Sequence, residues 1–421
     1  MSNMNGMNSV SGLHGLNGMS RMSSADSLIP ADVWSHIRAG RAPTIERVDA
    51  VASQEARLLG TGGLDATRRS LRAATLGLGP LDDVVELPGV TDVLVNGTGG
   101  VWVDRGFGLE QVDVPMGSPS DVRRLAVRLA GLADRRLDEA SPYVDGLLPG
   151  GIRLHAVLPP LVDVAAHISL RVPRSDVVSL GRLVELGSLP PSWLAVLEAM
   201  ISRRLSFVVS GGTGTGKTTL LAGLLQLVGE DERILVVEDV RELAVRHPHV
   251  VRLQARPANV EGAGAVDLVA LVRQSLRMRP DRLVVGEVRG AEVREMLTAL
   301  NTGHDGGCGT IHANSDRDVV ARFEALGALA GMSPAAVRSQ LGSAVSVVVH
   351  LRRVRSQREV ATIGVLEATP DGLSVRTALR NDGTSTPGDG APAGVVEPGW
   401  SRLCDLLGLD SRTWRREVTR T

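Results

Sequence analysis

The segment GGTGTGKTT, Gly211–Thr219, restricts the possible folds of this chain more than any other feature. It follows an apolar run, LSFVVS, which is typical of a buried strand, and it leads into KTTLLAGLLQLV, whose apolar residues have helical spacing. Glycine tolerates backbone conformations that other residues avoid, so a Gly-rich turn can connect the two elements tightly. The segment therefore predicts a strand, a tight loop and a helix in direct succession.

The same segment has the spacing G-x4-G-K-T, which predicts a phosphate-binding loop. In such a loop, backbone N–H groups and the N-terminus of the helix face the phosphates. The hydroxyl of Thr218 is expected to bind Mg²⁺. We expect nine residues to bind the nucleotide: Gly211, Gly212, Thr213, Gly214, Thr215, Gly216, Lys217, Thr218 and Thr219.

Lys217 is the only lysine in a chain that has 46 lysine and arginine residues in total. A lysine ammonium is compact, whereas the guanidinium of arginine is a wide planar fork. We interpret the lone lysine as a catalytic position that needs a compact charge between the β- and γ-phosphates. The alternative is an accidental match to the motif in an ordinary glycine-rich turn.

Hydrophobic patterns divide the chain into segments. Alternating strand patterns and one amphipathic helix, with Ser120 at its predicted start, indicate an α+β domain before the loop. After it, short β-branched runs alternate with helices, which predicts an α/β fold with a largely parallel sheet covered on both faces. The predicted segments are a disordered tail (1–25), a helical segment (26–75), the α+β domain (76–175), a hinge (176–190), the α/β domain (191–380), a flexible linker (381–398) and a short tail helix (399–421).

Composition and charge exclude several classes of protein. The net charge of −1 gives no global basic field for nucleic acid. No apolar run approaches the roughly 18 residues that a membrane-spanning helix needs, and the first residues lack the apolar stretch of a secretion signal. Two cysteines, Cys308 and Cys404, are too few for a disulfide framework. We therefore expect a cytoplasmic protein that meets a membrane only through a partner.

Two acidic clusters follow predicted strands. DRLVVGEVRG has Gly286 where phosphate-binding-loop proteins commonly have Asp, with Glu287 next, and ILVVEDVREL carries Glu238, Asp239 and Glu242. The carboxyl ends of parallel strands meet at one edge of a sheet, so both clusters can reach a γ-phosphate. Hydrolysis needs carboxylates that hold Mg²⁺ and orient the attacking water. Capping of a following helix or loop is the alternative role.

Several motifs in order carry a resemblance to a known family. The motifs are GGTGTGKTT, VVEDVREL, RMRPDRLVVGEVRGAE and NTGHDGGCGTIHANS, preceded by LGPLDDVVELPGVTDVLVNG, RRLDEASPYVDGLLPGGIRLHAVLPP and ISLRVPR. The chain thereby resembles the type II/IV secretion system ATPase superfamily. Within it, the motifs look like those of the tight-adherence (Tad/Flp pilus, CpaF-like) branch, of the type linked to conjugal transfer in actinobacteria. The resemblance implies a RecA-like P-loop NTPase domain behind the smaller α+β domain.

The resemblance also implies roles for single residues. Glycine at 286 is compatible with activity in this family, Glu287 would hold the Mg²⁺ shell, and Glu242 would polarise the attacking water. Glu238 and Asp239 would shape the site.

Two histidines and a cysteine lie near the last motif. His312, in TIHAN, would sense the γ-phosphate and couple its loss to movement, while His304 is expected to be a structural loop residue. We expect Cys308 to be a small buried side chain, because no base is evidently paired with it.

Arginines complete the predicted site. Phosphoryl transfer benefits from an arginine that supplies charge only in the closed state. Arg153 and Arg171 match positions of the first domain that contact nucleotide phosphates in similar ATPases. Arg256, Arg277 and Arg279 are weaker candidates for bridging subunits. A solvated surface position is the alternative for each of them.

The resulting hypothesis is a Mg²⁺- and ATP-dependent motor. The resemblance implies a homohexamer at the inner face of the membrane, which moves a platform protein of a pilus or secretion system. No direct nucleic-acid partner is expected.

Three alternatives remain open. The first is a DNA-translocating motor of conjugation, the second a small-molecule kinase, and the third a scaffold that binds ATP without turnover.

Overall fold

A computed structural model describes residues 77–418, except 107, 174–177, 259–261, 355–356, 371 and 382–393. The predicted disordered tail (1–25) and helical segment (26–75) lie outside the described residues. No helix in the part that is described has the length and apolarity to cross a membrane. Two sheets organise the rest, and we refer to residues 77–173 as the N-domain and to 178–418 as the C-domain.

The N-domain is an antiparallel sheet packed against one long helix. Its strand order is β3-β2-β1-β6-β5-β4, and every neighbouring pair is antiparallel. Alternate residues of the strands and one face of the helix form a single apolar core. The elements are α1 (Asp82–Val85), β1 (Asp92–Asn96), β2 (Val101–Asp104), β3 (Leu109–Val112), α2 (Pro119–Leu132), β4 (Tyr143–Leu147), β5 (Arg153–Val157) and β6 (His167–Arg171).

Helix α2 begins earlier than the sequence pattern predicts. Ser118, and not Ser120, is the N-cap: its hydroxyl accepts from the backbone N–H of Asp121, and the Asp121 carboxylate accepts from the backbone N–H of Ser118. Pro119 takes the first helical position, where its missing N–H has no cost. The start at Ser120 was therefore wrong, because it ignored the cap and proline that precede it.

The C-domain has a nine-stranded sheet of order β15-β14-β13-β12-β7-β11-β10-β8-β9. The six strands from β12 to β9 in this order are parallel, and the other three are antiparallel. The strands are β7 (Phe207–Gly211), β8 (Ile234–Glu238), β9 (Val250–Gln254), β10 (Arg282–Val288), β11 (Cys308–His312), β12 (Val347–Val354), β13 (Gln357–Thr369), β14 (Gly372–Asn381) and β15 (Gly394–Val396).

Helices cover both faces of this sheet and form a separate apolar core on each. This arrangement confirms the predicted α/β class, with a mostly parallel sheet behind a smaller α+β domain. The helices are α3 (Leu180–Glu185), α4 (Leu194–Ser202), α5 (Lys217–Leu225), α6 (Leu268–Ser275), α7 (Glu292–Leu300), α8 (Val319–Leu329), α9 (Pro334–Ala344), α10 (Trp400–Leu407) and α11 (Ser411–Val418).

The predicted hinge and linker contain regular structure. The hinge range includes α3, and the end of the linker range forms β15, which pairs with Leu379–Asn381 of β14. The two valines of β15 suit a strand, although the surrounding composition suits a linker. The single predicted tail helix is two helices, because Gly408 ends α10 with a positive φ of 64°.

Candidate functional site

The Gly211–Thr219 loop connects the central strand β7 to α5 as predicted. Gly211 cannot carry a side chain, because a Cβ would lie 2.6 Å from the carbonyl oxygen of Leu351 on the next strand. Gly216, the residue before the helix, has a φ of 96°, which favours glycine. The first backbone N–H groups of α5 therefore point into the loop, where they can receive an anion.

Lys217 lies inside this loop and is only 7% exposed. Its Nζ donates to the carbonyl oxygens of Gly211 (3.0 Å) and Gly212 (2.9 Å), and it lies 3.4 Å from Nε2 of His312. Burial lowers the pKa of the ammonium, while the nearby Glu287 opposes that shift. The lysine is thus held at the bottom of the loop by backbone atoms.

The other residues of the loop differ in burial and position. Thr215 is buried, and its hydroxyl donates to the carbonyl of Gly212 (2.9 Å), which stabilises the turn. Thr213 and Gly214 are exposed at the tip, and Thr219 lies in the first turn of α5. Thr218 lines the cavity beside the loop.

That cavity brings together all four of the predicted acidic residues. They lie at the carboxyl ends of β8 and β10, beside the start of α5, as expected for parallel strands. An arginine of the N-domain closes one side. The lining residues are Arg153, Thr218, Glu238, Asp239, Val240, Glu242, Gly286, Glu287 and Arg289.

Glu238 explains the glycine at position 286. A Cβ on Gly286 would lie 2.6 Å from Cγ of Glu238, which stands on the neighbouring strand. Glu238 is almost fully buried, and its Oε1 accepts from the backbone N–H groups of Glu242 (2.9 Å) and Leu243 (2.8 Å). Burial raises the pKa of this carboxyl, and the two backbone bonds oppose the shift. Glu238 thus fixes the segment that carries Glu242.

Glu287 lies between His312 and Arg289. Its Oε1 is 2.6 Å from Nε2 of His312, and its Oε2 accepts from Arg289. Burial, and then the charge of Lys217, lowers the pKa of His312. Oε1 is buried and accepts no hydrogen bond of normal geometry. A buried carboxylate oxygen that lacks such a hydrogen bond is suited to bind a cation.

The oxygen atoms of the site fit a Mg²⁺ ion that is held mainly by the phosphates of the substrate. Among the described residues, no three His, Cys, Asp or Glu side chains cluster as a metal site. Mg²⁺ is commonly held by one or two protein oxygens together with phosphates and water. Thr218 and Glu287, which line the same cavity, could supply those protein oxygens.

The two arginines predicted from the N-domain are neighbours but make different contacts. Arg153 on β5 is paired in register with Arg171 on β6. Nη1 of Arg153 lies 3.3 Å from Oε1 of Glu242, so this ion pair joins the two domains. Arg171 instead faces Asp92 of its own domain at 3.5 Å. Both arginines line a larger cleft between the domains.

The remaining candidates are mostly outside the site. Arg256 lines the interdomain cleft, and its Nε donates to the carbonyl of Gly264 (2.7 Å). Arg277 lies in a 3-10 turn that follows α6, and Arg279 comes directly after that turn; neither lines the cavity or the cleft.

The structure places His304 and Cys308 in structural surroundings. Nδ1 of His304 lies 3.1 Å from the carbonyl of Ala299, within a loop. Cys308 is fully buried on β11, and burial raises the pKa of its thiol to about 12, which disfavours the thiolate.

Two site arginines were missed by the sequence reasoning. Arg289 was signalled by its position two residues after Glu287, in the quoted motif itself. Arg358 gave no such signal: it comes from β13, and its Nε donates to the carbonyl of Gly214 at the tip of the loop (2.8 Å).

Comparisons with known proteins agree with the motifs. A family model described as "Type II/IV secretion system protein" matches residues 75–385. A protein of Mycobacterium tuberculosis, named provisionally for conjugal transfer, is 52% identical over 332 residues, which are 77% of this chain and 94% of that protein. The conjugal transfer protein TrbB of Rhizobium radiobacter is 30% identical over 287 residues, which cover 67% and 84% of the two chains.

Solved structures are also similar. The VirB11 ATPase of the Brucella suis type IV secretion system, crystallised with sulphate, is 25% identical. The match covers 68% of this chain and 95% of that one, with a TM-score of 0.37. The family match spans well over half of the sequence and includes every motif of the site. The chain therefore belongs to the type II/IV secretion system protein family.

Proposed function

We propose that this chain binds and hydrolyses Mg-ATP. One observation carries the proposal: a phosphate-binding loop, two carboxylates on strand ends and an arginine from another domain surround one cavity. No apolar substrate pocket is needed for such chemistry, because phosphoryl transfer depends on positioning and charge. The family assignment supports the same activity.

Each side chain has a proposed task. Lys217 binds the β- and γ-phosphates, and Thr218 and Glu287 hold Mg²⁺, which supplies positive charge to the phosphate oxygens. Glu242 orients the attacking water, and Arg153 neutralises charge that develops on the phosphates. His312 is in contact with both Lys217 and Glu287, so it can respond when the γ-phosphate leaves.

Turnover is tested by comparing the wild type with Glu287→Gln. We expect ATP hydrolysis to fall by on the order of a hundredfold, because the neutral amide binds the metal poorly. ATP binding, followed by fluorescence of a labelled nucleotide, is expected to persist. Glu367→Gln is the matched control, since Glu367 lies on β13 and pairs with Arg376 outside the cavity. Equal and near-zero rates in wild type and Glu287→Gln would support the scaffold alternative instead.

We further propose that the chain works as a homohexamer on a membrane platform protein of a Tad-type pilus or a related secretion system. The motif resemblance supports this assignment, and the interdomain pair Arg153–Glu242 offers a contact that can open and close with nucleotide. Light scattering should find particles of about six 44.4 kDa chains in the presence of ATP. Deletion of the gene should abolish surface pilin; undiminished piliation would contradict the pilus assignment.

A DNA-translocating motor is the second candidate, and the names of the mycobacterial and Rhizobium relatives favour it. The composition argues against it: the net charge is −1, and the chain has only five tryptophans, three phenylalanines and one tyrosine for stacking on bases. Stimulation of ATP hydrolysis by DNA would decide for this candidate. An unchanged rate at saturating single-stranded DNA would favour protein cargo.

A further inference from the structure

A row of polar side chains crosses the apolar face of the C-domain sheet beneath the site. Ser210 on β7 is in register with His350 on β12, and His350 is in register with Thr362 on β13. Ser210 and His350 are buried, and the residues two positions earlier on their strands, Val208 and Val348, belong to the apolar core. Polar groups in such surroundings are costly unless they are bonded.

Asp316 meets one end of this row. It is 7% exposed and lies in a 3-10 turn just after β11. Its Oδ2 accepts from the hydroxyls of Thr362 (2.9 Å) and of Thr377 on β14 (3.0 Å), and its Oδ1 accepts from the N–H of Arg317 (2.9 Å). The carboxylate therefore ties the segment after β11 to two strands of the antiparallel part of the sheet.

His350 ties the same segment to the phosphate-binding loop. Its Nδ1 lies 2.9 Å from Oγ of Ser210, the residue immediately before Gly211, and the ring also bonds to the backbone of Asn314. A neutral imidazole has one donor and one acceptor, so it can satisfy both partners. Burial lowers the pKa of His350, which favours that neutral form.

Asp316 and His350 both hold the short segment that follows β11. Asn314 and Asp316 follow His312 by two and four residues, and His312 itself is in register with Gly211. The side chain of His312 contacts Lys217 and Glu287, but it has no bond to the antiparallel strands among the described contacts. Besides the backbone pairing of the sheet, its connection to those strands runs through the segment that Asp316 and His350 hold.

Resting on the proposed ATPase function, we propose that Asp316 and His350 are positioning residues that hold His312 against the γ-phosphate site. They join it to β13 and β14, and β14 in turn carries β15 and packs against α10. A shift of His312 on loss of phosphate would thereby be transmitted to the C-terminal part of the molecule, whose last residues lie beyond the family match at 75–385.

A double-mutant cycle on ATP turnover tests this role. We expect Asp316→Ala to lower kcat about tenfold, the effect of losing bonds to one charged group, with the Kd for ATP changed less than about twofold. In a His312→Ala background the same substitution should lower kcat less than about twofold, because the residue it positions is absent. Asp318→Ala is the matched control: Asp318 is in the same turn but exposed, and it bonds only to Ser315 among the described contacts.

The outcomes separate the two proposals. Equal losses from Asp316→Ala in both backgrounds would mean a general structural role and would overturn the positioning role alone. No turnover in the wild type would overturn the ATPase function and the positioning role together. If Asp316→Ala fails to fold, Thr362→Val with Thr377→Val removes the two hydroxyl donors and leaves the carboxylate; the same dependence on His312 is then expected, and its absence would overturn the proposal.

Discussion

At the scale of the residue, the burial of Lys217 gives a physical reason for its identity. Its ammonium fits between two carbonyl oxygens of its own loop, at 3.0 and 2.9 Å, in a position that is 7% exposed. The planar fork of arginine needs more width and several acceptors in one plane. A position of this kind retains lysine even in a chain that otherwise uses arginine.

We therefore predict that Lys217→Arg is nearly as damaging as Lys217→Ala. Both variants should lower kcat/KM for ATP by on the order of a hundredfold or more, and their rates should agree within about threefold. The steady-state rate of phosphate release measures this. The converse change at an exposed site, Arg182→Lys, serves as the control, since Arg182 pairs with Glu185 on the surface of α3. Substantial activity in Lys217→Arg would show that charge alone, and not shape, is required.

Other residue contacts could not be predicted from the sequence. Gly286 was accepted as a family variation, whereas its cause is the Cγ of Glu238 on the neighbouring strand. Arg358 reaches the loop from β13, more than a hundred residues later in the chain. Both depend on which strands lie side by side, and local patterns do not contain that information.

At the scale of the element, strong periodicity predicted the strands and helices around the site. Weak composition signals did not predict the strand β15 or the first residue of α2. The β-branched runs after the loop form strands as predicted: VVRLQ is β9, and CGTIH is β11. The short strand β15 was hidden in a Gly- and Pro-rich stretch, because its stability comes from pairing with β14. The start of α2 was misplaced by two residues, since two serines flank Pro119.

The two serines around Pro119 give a direct test of the cap. Ser118→Ala should destabilise α2 by about 1 kcal/mol, because it removes the hydroxyl that accepts from the N–H of Asp121. Ser120→Ala should change stability by less than about 0.5 kcal/mol, because alanine suits a helix interior. Native-state hydrogen exchange of the α2 amides measures both free energies. A larger loss for Ser120→Ala would restore the start that the sequence pattern indicated.

At the scale of the whole molecule, the site is completed by two domains. Arg153 approaches Glu242 across the boundary, and Arg135 of the N-domain donates to the carbonyl of Ala258 in the C-domain. Of the two arginines that resembled phosphate-contacting positions, only Arg153 pairs with a predicted catalytic residue; Arg171 faces Asp92. The difference follows from the tertiary arrangement, which no local motif encodes.

We predict that Arg153→Ala lowers kcat about tenfold or more, because charge on the phosphates is then neutralised less well in the closed state. Arg153→Lys should recover part of that loss, and the Kd for ATP should change much less than kcat in both variants. Pre-steady-state measurement of phosphate release separates these effects. Arg182→Ala removes an exposed ion pair of the C-domain and is the matched control. Equal rates of ATP hydrolysis in Arg182→Ala and Arg153→Ala would show that Arg153 has no role in the reaction.

The solitary, enclosed lysine has a practical consequence for labelling. Across all 421 residues, amine-reactive reagents can meet only one ε-amine, that of Lys217, besides any free α-amino group. Because that amine is buried beside His312 in the phosphate-binding loop, its acylation would report directly on access to the nucleotide site. An intact-mass measurement could thus count occupied sites in an assembly, chain by chain, without any engineered tag.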